Sequence, residues 1–162
     1  QSLIKQNTNK QAVDKNGITV SGVGNLLTHM AKCCQPVPGD EILGFITQGR
    51  GISVHRADCE QLSNSLKAQP EREVEVQWGV NSKQNYQVSI QILANDRQGL
   101  LRDVSTIIAN DRLSILGLSS HQDAQKQLTK MQVELEITDQ EMLQRLLNKL
   151  LQLDDVIEAK RS

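Results

Sequence analysis

Aromatic side chains are nearly absent from this chain of 162 residues, which contains one Phe, one Trp and one Tyr. Any hydrophobic core must therefore be built from aliphatic side chains. A sheet that binds single-stranded RNA usually stacks bases on exposed aromatic rings. In the second half of the chain only Tyr86 is available, at the margin of a predicted strand, and this scarcity disfavours base stacking on that sheet.

An excess of charge of one sign is also lacking. The chain has 18 basic and 19 acidic residues and a net charge of −1, so it is not a general polycation for nucleic acid or anionic membranes. Any contact with RNA must therefore be local.

Long apolar runs are missing as well. None approaches the roughly 18 residues that span a bilayer, and the N-terminus lacks a basic-then-apolar signal pattern. We therefore expect a soluble, cytoplasmic protein. Because the sequence begins at Gln1 rather than Met, we also expect it to be part of a longer chain.

Cysteine is scarce and odd in number, with Cys33, Cys34 and Cys59 only. Disulfides are disfavoured because a cytoplasmic chain has no oxidising compartment in which to form them. His55 and Cys59 have the H-x3-C spacing of a metal-ligand pair, and the turn after Cys33 and Cys34 would bend the chain back toward them. Four such ligands predict a closed tetrahedral site, in which zinc would stabilise a small module.

Two other interpretations of these residues stay open. Neighbouring side chains of an extended chain point to opposite faces, so Cys33 and Cys34 are unusual ligands and would instead be buried core, with His55 on a strand surface. Alternatively, Cys59 lies in the first turn of a helix, where the dipole lowers the pKa of a thiol and favours a reactive or redox-sensing cysteine.

The first half of the chain is predicted to be a small β-rich module over 18–80, after a polar lead-in over 1–17. Pro38 and Gly39 suit a type II turn, and the GRG sequence at 49–51 predicts a tight hairpin. Asp58 with Gln61 three residues later predicts a helix over 58–66. The other strand signals are ITV at 18–20, EILGFITQ at 41–48, ISVH at 52–55 and EVEVQW at 73–78.

The second half, residues 86–162, follows a polar linker at 81–85 and has clearer periodicity. Alternating apolar residues predict strands from Tyr86, over 114–120 and around Met131–Ile137, with a turn at 121–127. Helical spacing predicts a helix from Leu100 to about Asn110, and Thr138 with Glu141 forms a capping box for a second helix. With a last strand at 156–159, the order is β-α-β-β-α-β, the ferredoxin-like arrangement, so the fold class is α+β.

Two further segments are candidate binding sites. The loop formed by Asn95, Asp96, Gly99 and Leu100 would present helix-start amides to a small carboxylate or phosphate, unless it only makes the turn. The first half is locally basic, and its cations would contact phosphates, unless they are ordinary solvated side chains: His29, Lys32, Arg50, His55 and Arg56. Because no known catalytic motif is present, we expect a non-catalytic region.

These strings resemble a known family. LTHMAKCCQPVPGD at 27–40, GRGISVHRADC at 49–59 and DRQGLLRDVSTIIA at 96–109 are similar to the C-terminal regulatory region of the long RelA/SpoT homologues, the bacterial stringent-response enzymes. The sequence is more similar to the RelA branch of this family than to the bifunctional SpoT branch. The resemblance implies a conserved-cysteine, zinc-finger-like domain, also called the ribosome-intersubunit domain, followed by an ACT domain, also described as RRM-like.

The resemblance also implies a function. The parent enzyme would transfer pyrophosphate from ATP to GTP or GDP, making (p)ppGpp when deacylated tRNA enters the ribosomal A site. This region would anchor it to large-subunit rRNA and restrain synthesis when unbound. The implied rRNA-facing residues are Lys32, Arg50, His55 and Arg56. The implied metal ligands, with zinc as a structural cofactor, are Cys33, Cys34, His55 and Cys59; residues implicated in regulation or self-association are Cys33, Cys34, Asp58 and Cys59.

Two alternative functions, which do not involve rRNA, remain. ACT domains in other proteins bind amino acids at dimer interfaces through the loop that DRQGLL occupies here, which would make this region an amino-acid sensor. The region would otherwise serve chiefly as a self-association module that forms a homodimer.

Overall fold

The computed structural model describes residues 17–20, 27–79 and 84–162. Most of the predicted lead-in (1–17) and linker (81–85) lies outside these residues, and both stay predictions. The described residues fall into two compact units: the first contains residues 17–20, 27–36, 40–79 and 84, and the second contains residues 37–39 and 85–162. Within the described part of the chain, no helix is both long and apolar enough to cross a membrane.

The first unit is built from short strands around one helix. One sheet has the order β2-β4-β3-β5, in which β2 runs parallel to β4, and a separate sheet pairs β1 with β6. Its elements are β1 (Ile18–Val20), β2 (Thr28–Met30), β3 (Ile42–Ile46), β4 (Ile52–Arg56), α1 (Glu60–Ala68), a 3-10 turn (Pro70–Arg72), β5 (Glu73–Val74) and β6 (Val76–Trp78).

The predicted hairpin of the first unit is confirmed, because β3 and β4 are antiparallel and the GRG segment lies between them. Thr47 closes the loop by donating from both its amide and its hydroxyl to the Gly51 carbonyl, at 2.9 and 2.8 Å. Gly51 has φ +75°, and a Cβ there would lie 2.1 Å from the Leu27 carbonyl oxygen. Only glycine therefore fits where the loop passes the start of β2.

Two predictions for the first unit are wrong in detail. The helix begins at Glu60 with Cys59 as its N-cap, not Asp58, because the Asp58 carboxylate is engaged by the Arg56 guanidinium instead. The run at 73–78 is two strands rather than one. The chain leaves the four-stranded sheet at Glu75 so that Val76–Trp78 pair with β1.

The second unit confirms the ferredoxin-like prediction. Its antiparallel sheet has the order β10-β7-β9-β8, with the long central strands β7 and β9 paired from Tyr86–Ile137 to Asn95–Leu128. Its elements are β7 (Tyr86–Asn95), α2 (Leu100–Asn110), β8 (Ser114–Asp123), β9 (Leu128–Ile137), α3 (Gln140–Leu151) and β10 (Val156–Arg161).

The core of the second unit is aliphatic except for Tyr86, which is buried at the start of β7. Alternate residues of the central strands are buried, including Ile90, Ile92 and Val133. The helices contribute residues at helical spacing: Leu100, Val104 and Ile108 from α2, and Leu143, Leu146, Leu147 and Leu150 from α3. Each such side chain contributes about 1.5–3 kcal/mol when fully removed from water.

Three boundaries of the second unit differ from prediction. β8 continues to Asp123, so the turn is shorter than 121–127, and the Asp123 carboxylate accepts from the amides of Gln125 and Lys126. The N-cap of α3 is Asp139, which accepts from the Met142 amide at 2.7 Å, and not Thr138. The last strand extends to Arg161 rather than ending at residue 159.

Candidate metal centre

The hairpin of the first unit and its parallel neighbour β2 bring three chain segments together. Cys33 and Cys34 lie in the turn that follows β2, His55 lies on β4, and Cys59 caps α1. The turn is fixed to β4 because the Ala31 amide donates to the Val54 carbonyl at 2.9 Å. The four predicted ligands therefore meet at one end of β4.

The turn explains how two adjacent cysteines face one centre. The Gln35 amide donates to the Ala31 carbonyl at 3.0 Å, a bond between residues four apart, as in one turn of a helix. Gln35 then leaves the turn with φ +47°. In such a turn successive side chains are about 100° apart rather than the 180° of a strand. The objection to adjacent ligands, which assumed an extended chain, does not apply.

Four of the six separations between the ligand atoms are near those of a tetrahedron. The Cys33 sulfur lies 3.4 Å from His55 Nδ1, 3.6 Å from the Cys59 sulfur and 4.0 Å from the Cys34 sulfur. The Cys34 sulfur lies 3.8 Å from the same Nδ1, and all four ligand atoms fall within 4.8 Å of one another. Zinc bonds of about 2.3 Å to sulfur and 2.0 Å to nitrogen would place tetrahedral ligands about 3.5–3.8 Å apart. The donor set therefore fits a zinc ion.

Neighbouring groups orient the donors. The Ser53 hydroxyl lies 2.9 Å from His55 Nε2, so a proton on Nε2 leaves Nδ1 as the atom with a lone pair toward the cysteines. The Arg56 amide donates to the Cys34 sulfur at 3.3 Å. Both contacts are of the kind that surround metal-bound imidazole and thiolate groups.

The pKa values in the cluster describe its metal-free protonation. Burial raises the pKa of the Cys33 thiol, and raises that of Cys34 to about 12. Burial also lowers the pKa of His55, with the nearby His29 acting in the same direction, so the imidazole is neutral at pH 7. Zinc must therefore displace protons from the two adjacent thiols, and its affinity rises with pH.

Cys59 behaves differently from the other two thiols. Burial acts to raise its pKa, but the nearby backbone amides of Leu62 and Gln61 and the thiols of Cys33 and Cys34 favour the thiolate and lower the pKa overall. The helix start of α1 is thus a favourable place for a thiolate. Cys59 is therefore the cysteine of the cluster that loses its proton most readily.

The predicted RNA-facing residues are not all at the same place. Lys32 is exposed in the turn beside Cys33, and His55 and Arg56 end β4 at the metal cluster. Arg56 is bidentate to the Asp58 carboxylate, at 3.0 and 2.7 Å, and this contact raises the pKa of Arg56. Arg50 is exposed at the hairpin tip, beyond the far end of β4 and so about 13 Å or more away along the strand.

Comparison with known proteins gives the family. The model of the RelA/SpoT RIS domain matches residues 18–79, and that of the ACT domain matches residues 82–161. The chain belongs to the RelA/SpoT family. The four clustered donors all fall in the RIS domain, and the ferredoxin-like unit is the ACT domain.

Three curated relatives are named as GTP pyrophosphokinases or as a (p)ppGpp synthase/hydrolase. Over 160 residues the chain is 50% identical to the GTP pyrophosphokinase of Escherichia coli, covering 99% of this chain and 21% of that protein. The GTP pyrophosphokinase of Haemophilus influenzae is 49% identical over 99% of this chain and 23% of its own length. The bifunctional (p)ppGpp synthase/hydrolase RelA of Mycobacterium tuberculosis is 45% identical over 67% of this chain and 15% of its own. The chain thus spans less than a quarter of each of these relatives.

The predicted small-molecule loop of the ACT domain is held by contacts within the domain. Asp96 accepts from the Thr129 hydroxyl at 3.0 Å, and Leu100 is buried in the core. Gly99 has φ +81° and is the N-cap of α2, so the glycine is required by the backbone. Asn95 ends β7 with an exposed side chain. Amino-acid binding by this loop stays a prediction.

Sequence reasoning missed two residues that organise these sites. In the ACT domain Arg97 donates to the carboxylates of Asp103 on α2 and Asp155 before β10, so it joins both to the loop. In the RIS domain Ser53 orients His55. The alternation of β4 places Ser53 and His55 two residues apart on one face of the strand, which is the signal that identifies Ser53.

Proposed function

We propose that this chain is the non-catalytic regulatory region of a RelA/SpoT-type GTP pyrophosphokinase, and that its RIS domain is a structural zinc module that anchors the enzyme to the ribosome. The observation that carries the proposal is the cluster of three thiols and one imidazole, with all four ligand atoms within 4.8 Å of one another, near the exposed Lys32. Restraint of synthesis off the ribosome, by contact with the missing catalytic domains, is part of the same proposal.

The ligand set favours a structural rather than a catalytic metal. Catalytic zinc keeps one coordination position for water or substrate, whereas four protein ligands close the tetrahedron. Three thiolates also favour zinc over magnesium or calcium, which prefer oxygen ligands. Zinc would hold the β2 turn, β4 and α1 together and so fix the positions of the side chains around it.

The surface beside the metal is the proposed RNA contact. Lys32 is exposed next to Cys33, where its ammonium group would reach a phosphate while the zinc site holds its backbone in place. The Arg56 guanidinium lies at the same end of β4, where it forms an ion pair with Asp58. Phosphate contacts of this kind need no base stacking, which agrees with the lack of aromatic residues.

Co-sedimentation with ribosomes that carry deacylated tRNA in the A site tests the proposal. We expect Lys32→Glu to weaken ribosome binding about tenfold at low salt. The slope of log affinity against log salt concentration should fall by about one, the value for one lost phosphate contact. Arg50→Glu tests the hairpin tip separately. The matched control is Lys67→Glu, the same charge change at the other end of α1, about 12 Å along the helix from the metal end.

The outcomes are distinct. A loss of ribosome binding in Lys32→Glu, with normal binding of Lys67→Glu, supports anchoring through the surface beside the metal cluster. Equal binding of all variants would contradict a phosphate contact at Lys32 or Arg50, and no binding by a well-folded zinc-loaded chain would show that domains outside this chain anchor the enzyme instead.

Self-association is a second candidate, favoured by the ACT sheet. β8 is an edge strand of ten residues in which nearly every residue is exposed, including Ile115, Leu116 and Leu118. Residues 114–121 carry no charged side chain of the kind that usually protects an edge from pairing. A second copy of β8, antiparallel across a two-fold axis, would extend the sheet.

Sedimentation equilibrium of the zinc-loaded chain checks this candidate. We expect a concentration-dependent mass that Leu118→Lys reduces to the monomer, because a charge would be buried between the paired edges. Asp58→Asn, in the RIS domain, tests one of the residues that the family resemblance implicates in self-association, without changing β8. A strictly monomeric wild type at high concentration would remove the candidate, and loss of the dimer only in Asp58→Asn would move the contact to the RIS domain.

A further inference from the structure

A groove opens in the RIS domain where the chain passes from one sheet to the other. Val74 on β5 pairs with Gly44 of β3, but after Glu75 the chain turns to β6 and pairs with β1 instead. Residues at the start of β3, just after β4 and along β5 and β6 line an open groove of about 780 Å³. This volume lies within the range of about 300–1,000 Å³ that is usual for ligand sites.

The floor of the groove is apolar and includes the only tryptophan of the chain. Ile42 and Val76 form part of the floor, together with the half-buried ring of Trp78. The indole Nε1 of Trp78 donates to the Asp40 carbonyl at 3.0 Å, which fixes the orientation of the ring. A fixed aromatic ring in a groove is a platform for an apolar stem or for a cation over its face.

The rim of the groove is acidic. Among the residues that the structure describes, the lining includes Asp40, Glu41, Glu73 and Glu75 and no basic residue. Arg56 is near enough to Asp40 for that carboxylate to help raise the pKa of Arg56, so part of the charge of Asp40 is balanced. Glu41, Glu73 and Glu75 are exposed, so the groove keeps a net negative field.

We propose that this groove binds an arginine- or lysine-rich segment of a protein partner. The long stems of these side chains would cover the apolar floor, their charged ends would meet the rim carboxylates, and one cation would lie over Trp78. RNA does not fit this chemistry, because its phosphates would be repelled by the same carboxylates. On the proposed function, the RIS domain would then contact RNA through the exposed Lys32 and a basic protein segment through this groove.

The fluorescence of Trp78 tests the proposal directly, since it is the only tryptophan in the 162-residue chain. The probe is a blocked decapeptide of alternating arginine and glycine. We expect a saturable change in emission at micromolar peptide in low salt. Glu73→Gln/Glu75→Gln should weaken the affinity at least tenfold, because it removes two of the exposed rim charges.

Controls separate this site from general attraction of charges. Glu136→Gln/Glu158→Gln makes the same charge change on the ACT domain, outside the groove, and should alter the affinity less than twofold. The equivalent glutamate–glycine peptide and a ten-nucleotide oligouridine should give no saturable change. Far-UV circular dichroism confirms that each variant is folded.

Three results would overturn the proposal. These are an unchanged Trp78 emission up to millimolar peptide, full affinity in Glu73→Gln/Glu75→Gln, or binding of the oligouridine as tight as that of the arginine peptide.

Discussion

Replacing Cys59 with Ser is expected to abolish tight zinc binding and to lower the unfolding temperature of the RIS domain to that of the metal-free wild type. Serine is a favoured N-cap, so the substitution keeps the start of α1 while removing the thiolate ligand. Among the described residues of this small domain, the buried side chains form two modest clusters, one including Ile52 and the other Leu62, and so small a core needs an additional stabilising element such as a metal ion. At free zinc a thousandfold above the dissociation constant, the bound ion contributes about 4 kcal/mol.

Zinc content and thermal unfolding, each measured with and without a chelator, check this prediction. The wild type should lose stability on chelation, whereas Cys59→Ser should respond to the chelator hardly at all. Ser63→Ala on α1, outside the cluster, is the control and should behave as wild type. Equal zinc content in Cys59→Ser and wild type, or no effect of the chelator on the wild type, would refute the metal centre.

The second large effect is expected at the hairpin loop, where two glycines form a matched pair. Gly49 and Gly51 both have positive φ, at +79° and +75°, so alanine is strained at either position. A Cβ at Gly49 meets nothing within 4 Å, but one at Gly51 would lie 2.1 Å from the Leu27 carbonyl oxygen. Because that oxygen is backbone, the chain itself must move.

We therefore expect Gly49→Ala to cost about 1 kcal/mol of unfolding free energy and Gly51→Ala about 3 kcal/mol or more. The Leu27 carbonyl also accepts from the Ile52 amide at 2.9 Å, so its displacement weakens the pairing of β2 with β4. β2 leads into the turn that holds Cys33 and Cys34, and zinc affinity should fall with stability. Denaturant unfolding and zinc competition would measure both, and equal costs for the two variants would contradict the geometry.

The ACT domain could be predicted from the sequence because its signals are local and long. The alternation from Tyr86 through Ile92 and the helical spacing from Leu100 to Ile108 each extend over a whole element, and both are confirmed. The errors lie where two adjacent residues compete for one role. Thr138 and Asp139 are both good N-caps, and only the backbone conformation at Asp139 selects it.

The RIS domain could be predicted only in part. Strands of two or three residues have too few positions to show a period, and the pairing of Ile18 with Trp78 joins residues sixty positions apart. In the ACT domain, the sequence also does not predict that β8 continues through His121 and Gln122, because an edge strand tolerates polar residues that elsewhere indicate a loop. The four clustered donors could be named from spacing, but their convergence depends on the helical turn at Ala31–Gln35.

The order of the four donors along the chain has a consequence for biosynthesis. Cys34 and Cys59 are 25 positions apart, so at a synthesis rate of about 5–20 residues per second the nascent chain holds the first two thiols for about 1–5 seconds before the last ligand is made. During that interval the paired thiols have neither the imidazole nor the helix cap beside them. Metal capture by the complete set is thus a late event of translation, and a pause before Cys59 would prolong the time in which the vicinal dithiol is open to oxidation.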